Sequence, residues 1–175
     1  MALECRSVVN QRLYFARLHC DWLRHELARQ ELPKRVAEQS LGQSVVFHLV
    51  CAYRAYLSEI AEAYSQPAGA YHSAGQLVEQ MARQNLDCGE ALELNTMEFA
   101  ENTESTAWLR DLLAHFQRVL DNPATLSSSS LSQPKQAIVV TQLESDDDLT
   151  QKRCQYFYES LLHIIESQRL RLQEW

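Results

Sequence analysis

Residues 7–30 read SVVNQRLYFARLHCDWLRHELARQ, and the spacing of their apolar side chains predicts a helix with two faces to bury. At about 100° per residue, Val9, Leu13, Ala16, Cys20, Leu23 and Leu27 form one stripe, while Phe15, Leu18 and Trp22 form a second on the opposite side. A helix built this way needs two partners. One is the protein's own core; the other is more of the same chain, a second copy or a different protein.

Outward from this helix the chain stays helical. Pro33 removes a backbone donor and biases Leu32 away from helical angles, which closes the first helix. From residue 36 to 64, Leu41, Val45, Leu49, Ala52, Tyr56 and Ile60 recur three or four apart, and Val46, Tyr53 and Leu57 widen the stripe into the broad arc of a central core helix. Pro67 and Gly69 end it. A shorter helix is expected over 73–86, carrying Leu77, Val78 and Met81, and then a short helical turn plus loop over 88–102, where Leu92, Leu94, Met97 and Phe99 keep neither clean period. Trp108, Leu109, Leu112, Leu113, Phe116, Val119 and Leu120 predict the next helix over 103–121, stopped by Asn122 and Pro123. Residues 122–136, including PATLSSSSLSQPK, read as a flexible low-complexity linker. The β-branched AIVV run at 137–140 is too short for a sheet and is expected as an extended strap. Ser145 and the aspartates at 146–148 offer an N-cap and favourable charge for a last helix reaching nearly to Trp175, buried through Cys154, Phe157, Leu161, Ile164, Ile165 and Leu172.

The fold class that follows is all-α. One domain over residues 1–175 is expected, a bundle of four to five main helices, mostly antiparallel because the connections at Pro33 and Pro67 are short, with the Ser/Pro-rich loop before the last helix. The composition agrees, being 46% hydrophobic with four Gly and four Pro, too few for β-sandwich punctuation. Five scattered cysteines without a CxxC pair argue against a disulfide framework or a zinc ribbon and for a reducing cytoplasm. The N-terminal residues carry arginines where a signal peptide needs an apolar run, and residues 45–57 are too short and too polar to cross a membrane.

A net charge of −7 disfavours nucleic acid, whose binding rests on Lys and Arg neutralising phosphates. The charge is also uneven: through Arg35 there are seven basic and four acidic residues, so the remainder of the 16 and 23 is nine and nineteen. Arg6, Arg17 and Arg24 share a flank of the first helix and are expected to meet the acidic stretch 87–104.

Three acid–histidine pairs lie four apart: Asp21 with His25, Asp111 with His115, and Glu159 with His163. Metal sites in bundles use such groups projecting inward. Here Glu159 and His163 fall opposite the apolar face, Asp111 lies outside it with His115 at its edge, and surface pairing is the expectation, with no metal and no cofactor. His48 lies off the main arc of the second helix and reads as a partly exposed histidine rather than a catalytic base.

Arg110 to His115, RDLLAH, resembles the Rx4-6H motif of HEPN-domain ribonucleases, all-α proteins in which two copies of the motif meet across a homodimer. The resemblance implies that Arg110 stabilises a pentavalent phosphate and that His115 moves the 2′-hydroxyl proton. Against it, the motif sits mid-helix and the two side chains diverge by about 140° around the axis. NQRLYFARL at 10–18, ALEL at 91–94 and TAWLRDLL at 106–113 resemble a family of small uncharacterised gammaproteobacterial helical proteins, which implies a bacterial cytoplasmic helical protein and assigns no catalytic residue.

The function expected from these features is that of a noncatalytic helical interaction or regulatory protein, a homodimer or the binder of another protein. Phe15, Leu18 and Trp22 are the expected contact, with Tyr14 and Arg29 at its rim, because aromatic and Arg side chains dominate interface energetics. Burial of the same residues inside one subunit, under the 137–140 strap or the last helix, is the competing arrangement. The metal-independent ribonuclease built on Arg110 and His115 is the alternative function.

Overall fold

The computed structural model describes residues 2–67, 69, 71–100, 107–121 and 149–173. Among them are six helices and no strand: α1 (Ala2–Arg29), α2 (Lys34–Ala63), α3 (Ala74–Arg83), α4 (Gly89–Glu98), α5 (Trp108–Asp121) and α6 (Gln151–Gln173). The linker 122–136, the AIVV run and the aspartates at 146–148 lie outside the described residues.

α1 and α2 form a long hairpin. Gln30 takes a left-handed φ of 57° just past α1, and Pro33 serves as the N-cap of α2. Val9, Leu13, Ala16, Cys20 and Leu23 are buried as the first stripe predicted, while Leu27 is only partly covered. α2 is the core helix, with Val45, Val46, Leu49, Val50, Tyr53, Tyr56, Leu57 and Ile60 all at 0% exposure, so the arc read from the sequence is right. Two C-termini close by the same device. Beyond α2, Gln66 N–H donates to Ala61 O and Ser65 N–H to Glu62 O; beyond α3, Leu86 N–H donates to Met81 O and Asn85 N–H to Ala82 O. Ser65 and Asn85 therefore sit at φ 58° and 55°, positions usually given to Gly.

Four expectations are corrected. Residues 88–102 hold a full helix, α4, rather than a turn and loop: Ala91, Leu94 and Glu98 are its buried side, and a carboxylate among them hid the period. α6 begins at Gln151, where the Thr150 hydroxyl accepts from Arg153 N–H at 3.3 Å and caps it; Ser145 lies outside the described residues. One central pair, α2 with α6, is parallel, although α1 runs antiparallel to both. Gly42 lies beside Cys154, Tyr56 bonds Gln168 and Glu59 bonds Arg169, so α6 advances along α2 in the same direction. Gly42 permits this close approach, since a Cβ there would stand 3.1 Å from Leu149 Cβ and 3.2 Å from Leu149 O. Finally, among the described residues Arg24 and Arg17 do not meet the acidic stretch: Arg24 pairs with Asp21 at 2.7 Å and Arg17 lies over the Tyr14 ring, whereas Glu90, Glu93 and Glu98 turn to α2 and α6.

A clamp holds the three long helices together. Arg169 donates from Nε and Nη2 to the two oxygens of Glu59 at 2.8 and 2.7 Å, and from Nη1 to Asn10 Oδ1 at 2.9 Å. With side chains only 12% and 13% exposed, the Arg169–Glu59 pair is bidentate and poorly screened. Glu59→Gln, which keeps the shape and removes the charge, is expected to cost about 2 kcal/mol, read as a lower urea midpoint at unchanged slope. Ser65→Gly relieves a left-handed serine and is expected to add about 1 kcal/mol, a rise of roughly 2–4 °C in the thermal midpoint for a chain of this size.

Candidate functional site

The second apolar face of α1 is resolved into two parts. Phe15 and Leu18 are half-buried, whereas Trp22 is 50% and Tyr14 55% exposed, and the Arg29 side chain is 70% exposed, 3.7 Å from Glu31. Among the described residues α2 covers the inner edge of this face, and the 137–140 strap lies outside them.

What meets the inner edge is His48. Its ring lies 5.4 Å from Phe15, 5.4 Å from Phe47 and 5.1 Å from His19, and His19 is in turn 5.1 Å from Trp22 in an edge-to-face contact. Phe47 continues the row to Phe116 of α5 at 6.5 Å. The result is a ladder of aromatic and imidazole rings along the α1–α2 seam, half open to solvent. Each histidine has one nitrogen engaged. His19 Nδ1 donates to the carbonyl of Phe15 at 2.8 Å, which leaves Nε2 outward; Arg12 Nη1 donates to His48 Nδ1 at 3.4 Å. Burial, then the neighbouring His19, then Arg12 lower the His48 pKa. Beside the ladder, α2 presents an open depression of about 440 Å³ whose described lining includes Val36, Ser40, Gln43, Phe47 and His48.

The sequence named Phe15, Leu18, Trp22 and His48 but missed Arg12, His19 and Phe47. The signal was present: Arg12, Phe15, His19 and Trp22 recur at three and four, and a reading confined to apolar types skipped the basic members.

Arg110 and His115 have different surroundings. Arg110 donates to Ala100 O at 2.7 Å and to Asp111 Oδ1 at 3.1 Å, while His115 is 4% exposed and packs against Phe157 at 5.9 Å. His115 is thus in the core, not at the edge of the apolar face. The remaining acid–histidine pairs are not joined: Asp21 holds Arg24, Glu159 accepts from Gln155 at 2.7 Å, and His25 and His163 are exposed. Among the described residues no cluster of three His, Cys, Asp or Glu side chains has metal-binding geometry, and no helix is long and apolar enough to cross a membrane.

A family model matches residues 1–175. The chain belongs to a family of unknown function, DUF6586. No curated protein and no solved structure matches it.

The five cysteines of this family member are all free. Burial pushes Cys20 and Cys154 up to about 12, with nearby acidic groups adding to the shift for both. Cys88, turned toward Glu90 at 3.8 Å, is raised by burial as well. Because the thiolate is the reactive form, Ellman's reagent at about pH 8 is expected to modify half-exposed Cys51 first in the native protein and Cys5, which burial and then Glu62 also raise, more slowly. Cys20, Cys88 and Cys154 are expected to react only on unfolding, with peptide mass spectrometry identifying the sites.

Proposed function

We propose that this chain is a noncatalytic interaction protein of the bacterial cytoplasm that associates with a second copy through the outer edge of α1. Trp22, Tyr14 and Leu18 form the contact, Phe15 supports it from below, and Arg29 lies at its rim. The observation that carries this reading is Trp22. Its indole stays 50% exposed on a helix whose opposite stripe, from Val9 to Leu23, is at most 5% exposed. Half of a Trp side chain is about 100 Å², so covering it contributes roughly 2.5 kcal/mol per copy at about 25 cal/mol per Å². Aromatic anchors of this kind dominate interfaces. Five free cysteines support a reducing compartment, and the stretches 10–18, 91–94 and 106–113 support the bacterial assignment.

The ribonuclease alternative requires Arg110 and His115 to share an open cleft. Arg110 is engaged with Ala100 and Asp111 and His115 is buried, so no observation favours it.

Light scattering from about 1 to 100 μM, bracketing a micromolar dimer of about −8 kcal/mol, is expected to show a concentration-dependent dimer. Trp22→Glu and, separately, Tyr14→Ser are expected to leave a monomer with unchanged helical circular dichroism. A monomer throughout that range, or dimers that survive both substitutions, would falsify the reading.

A further inference from the structure

In a protein of net charge −7, Arg24 pairs with Asp21, Arg110 and Arg153 share Asp111, Arg169 has Glu59, and Arg171 has Glu93. Arg17 and Arg54 lie instead over the Tyr14 and Phe116 rings, and Arg12 faces imidazoles. Its bond is to a neutral acceptor, His48 Nδ1 at 3.4 Å, and an Arg side chain has five donors to place in a fixed fork. The two histidines beside it are equally without a carboxylate: His19 is anchored on the Phe15 carbonyl and stacked on His48 and Trp22. Three nitrogen bases from two helices therefore converge with no counter-charge among the described residues. The charged or titratable groups bearing on His48 are His19 and Arg12 of α1, both raising the positive potential; α5 meets the same rim through Phe116 against Phe47.

While the cluster is empty, His–His and His–Arg proximity disfavours protonation of His48. An oxyanion reverses the sign. It accepts from the unused Arg12 donors in the planar, bidentate manner that guanidinium favours. It also accepts from Nε2 of His19 once that nitrogen carries a proton, since Nδ1 is already committed to Phe15. The walls are aromatic: Phe15 and Phe47 flank His48 and the indole of Trp22 flanks His19. Flat apolar surface beside an uncompensated cationic centre fits a ligand with both characters.

We infer that Arg12, His19 and His48 bind the oxyanion of a small organic ligand, a carboxylate or a phosphate, whose aromatic body rests on Phe47. The site is complete within one copy of the chain and does not rest on self-association.

Benzoate is the probe, because it stays an anion between about pH 6 and 8, across the range in which an imidazole ordinarily loses its proton. Benzyl alcohol serves as its neutral counterpart and phenyl phosphate as the second oxyanion source. In the wild-type protein, saturable shifts of the His19 and His48 ring resonances are expected, with Kd about 1 mM or tighter at pH about 6, weaker by about tenfold at pH about 8. The His48 titration is expected to move upward on saturation. Arg12→Gln and His48→Gln, both on the half-open seam, are each expected to weaken benzoate by about tenfold or more with unchanged circular dichroism. Phenyl phosphate binding more tightly than benzoate identifies phosphate as the source, and the reverse order identifies carboxylate. Three results would overturn the assignment: no saturable shift with either anion, benzyl alcohol binding as tightly as benzoate, or affinities unchanged in both variants. None of these depends on whether the protein dimerises, which the Tyr14→Ser variant isolates.

Discussion

Two phenol hydroxyls in the middle of α2 determine how the other helices are arranged. Tyr53 and Tyr56 are at 0% exposure, so each hydroxyl has left water and needs a partner inside the protein. A buried hydroxyl without one costs on the order of 1–3 kcal/mol. Tyr53 donates to Glu98 Oε1 at 2.6 Å and Tyr56 to Gln168 Oε1 at 3.0 Å. Those two acceptors sit on α4 and α6, which pins both helices to the core. The same carboxylate oxygen of Glu98 accepts from Ala74 N–H at 3.1 Å, serving the first free amide of α3, where a negative charge is favoured by the helix dipole. Gln168 Nε2 reaches Glu93 Oε2 at 2.9 Å and Glu90 O at 3.3 Å, joining α6 to α4. Burial first, then the Glu98 charge, push the Tyr53 hydroxyl far above the ordinary phenol range, so it stays a donor.

This network explains why α6 runs parallel to α2. Its register requires Gln168 opposite Tyr56 and Arg169 opposite Glu59 while Cys154 passes Gly42, and all three demands are met only when the helices advance together. α1 then packs its Val9–Leu23 stripe against the α2–α6 pair. Among the described residues, the other face of α1 is met by His48, which packs against Phe15 and His19, with Phe47 behind it. The open ladder is thus a by-product of satisfying the core.

Legibility in the sequence followed the chemistry of each contact. Apolar periodicity located α1, α2, α3, α5 and α6 because their buried sides are mostly aliphatic and aromatic. It failed at α4, whose buried positions Ala91, Leu94 and Glu98 include a carboxylate that only the tertiary partner Tyr53 makes tolerable. Helix direction was illegible for the same reason: short loops imply antiparallel neighbours, but the α2–α6 pairing is set by long-range bonds between residues more than a hundred positions apart. At the candidate site the apolar members were visible, and the double face of α1 marked the place. Arg12 and His19 were not, because a basic residue at helical spacing reads as solvent-facing until its neighbour across the seam is known.

Charge distribution connects the core to this surface. Glu59, Glu93 and Asp111 each neutralise an arginine of α5 or α6, and Glu98 and Glu90 each accept from a buried or half-buried tyrosine. These five carboxylates therefore help to hold α4, α5 and α6 in place. α1 holds its own acids locally, Asp21 on Arg24 and Glu26 on the Leu32 amide at 2.9 Å. Glu62 faces Cys5 farther along the α1–α2 seam, and among the described residues no ion pair joins a carboxylate to Arg12, His19 or His48. The uncompensated Arg12, His19 and His48 follow from where the acids had to go, and so does the neutral, aromatic character of the surface beside them.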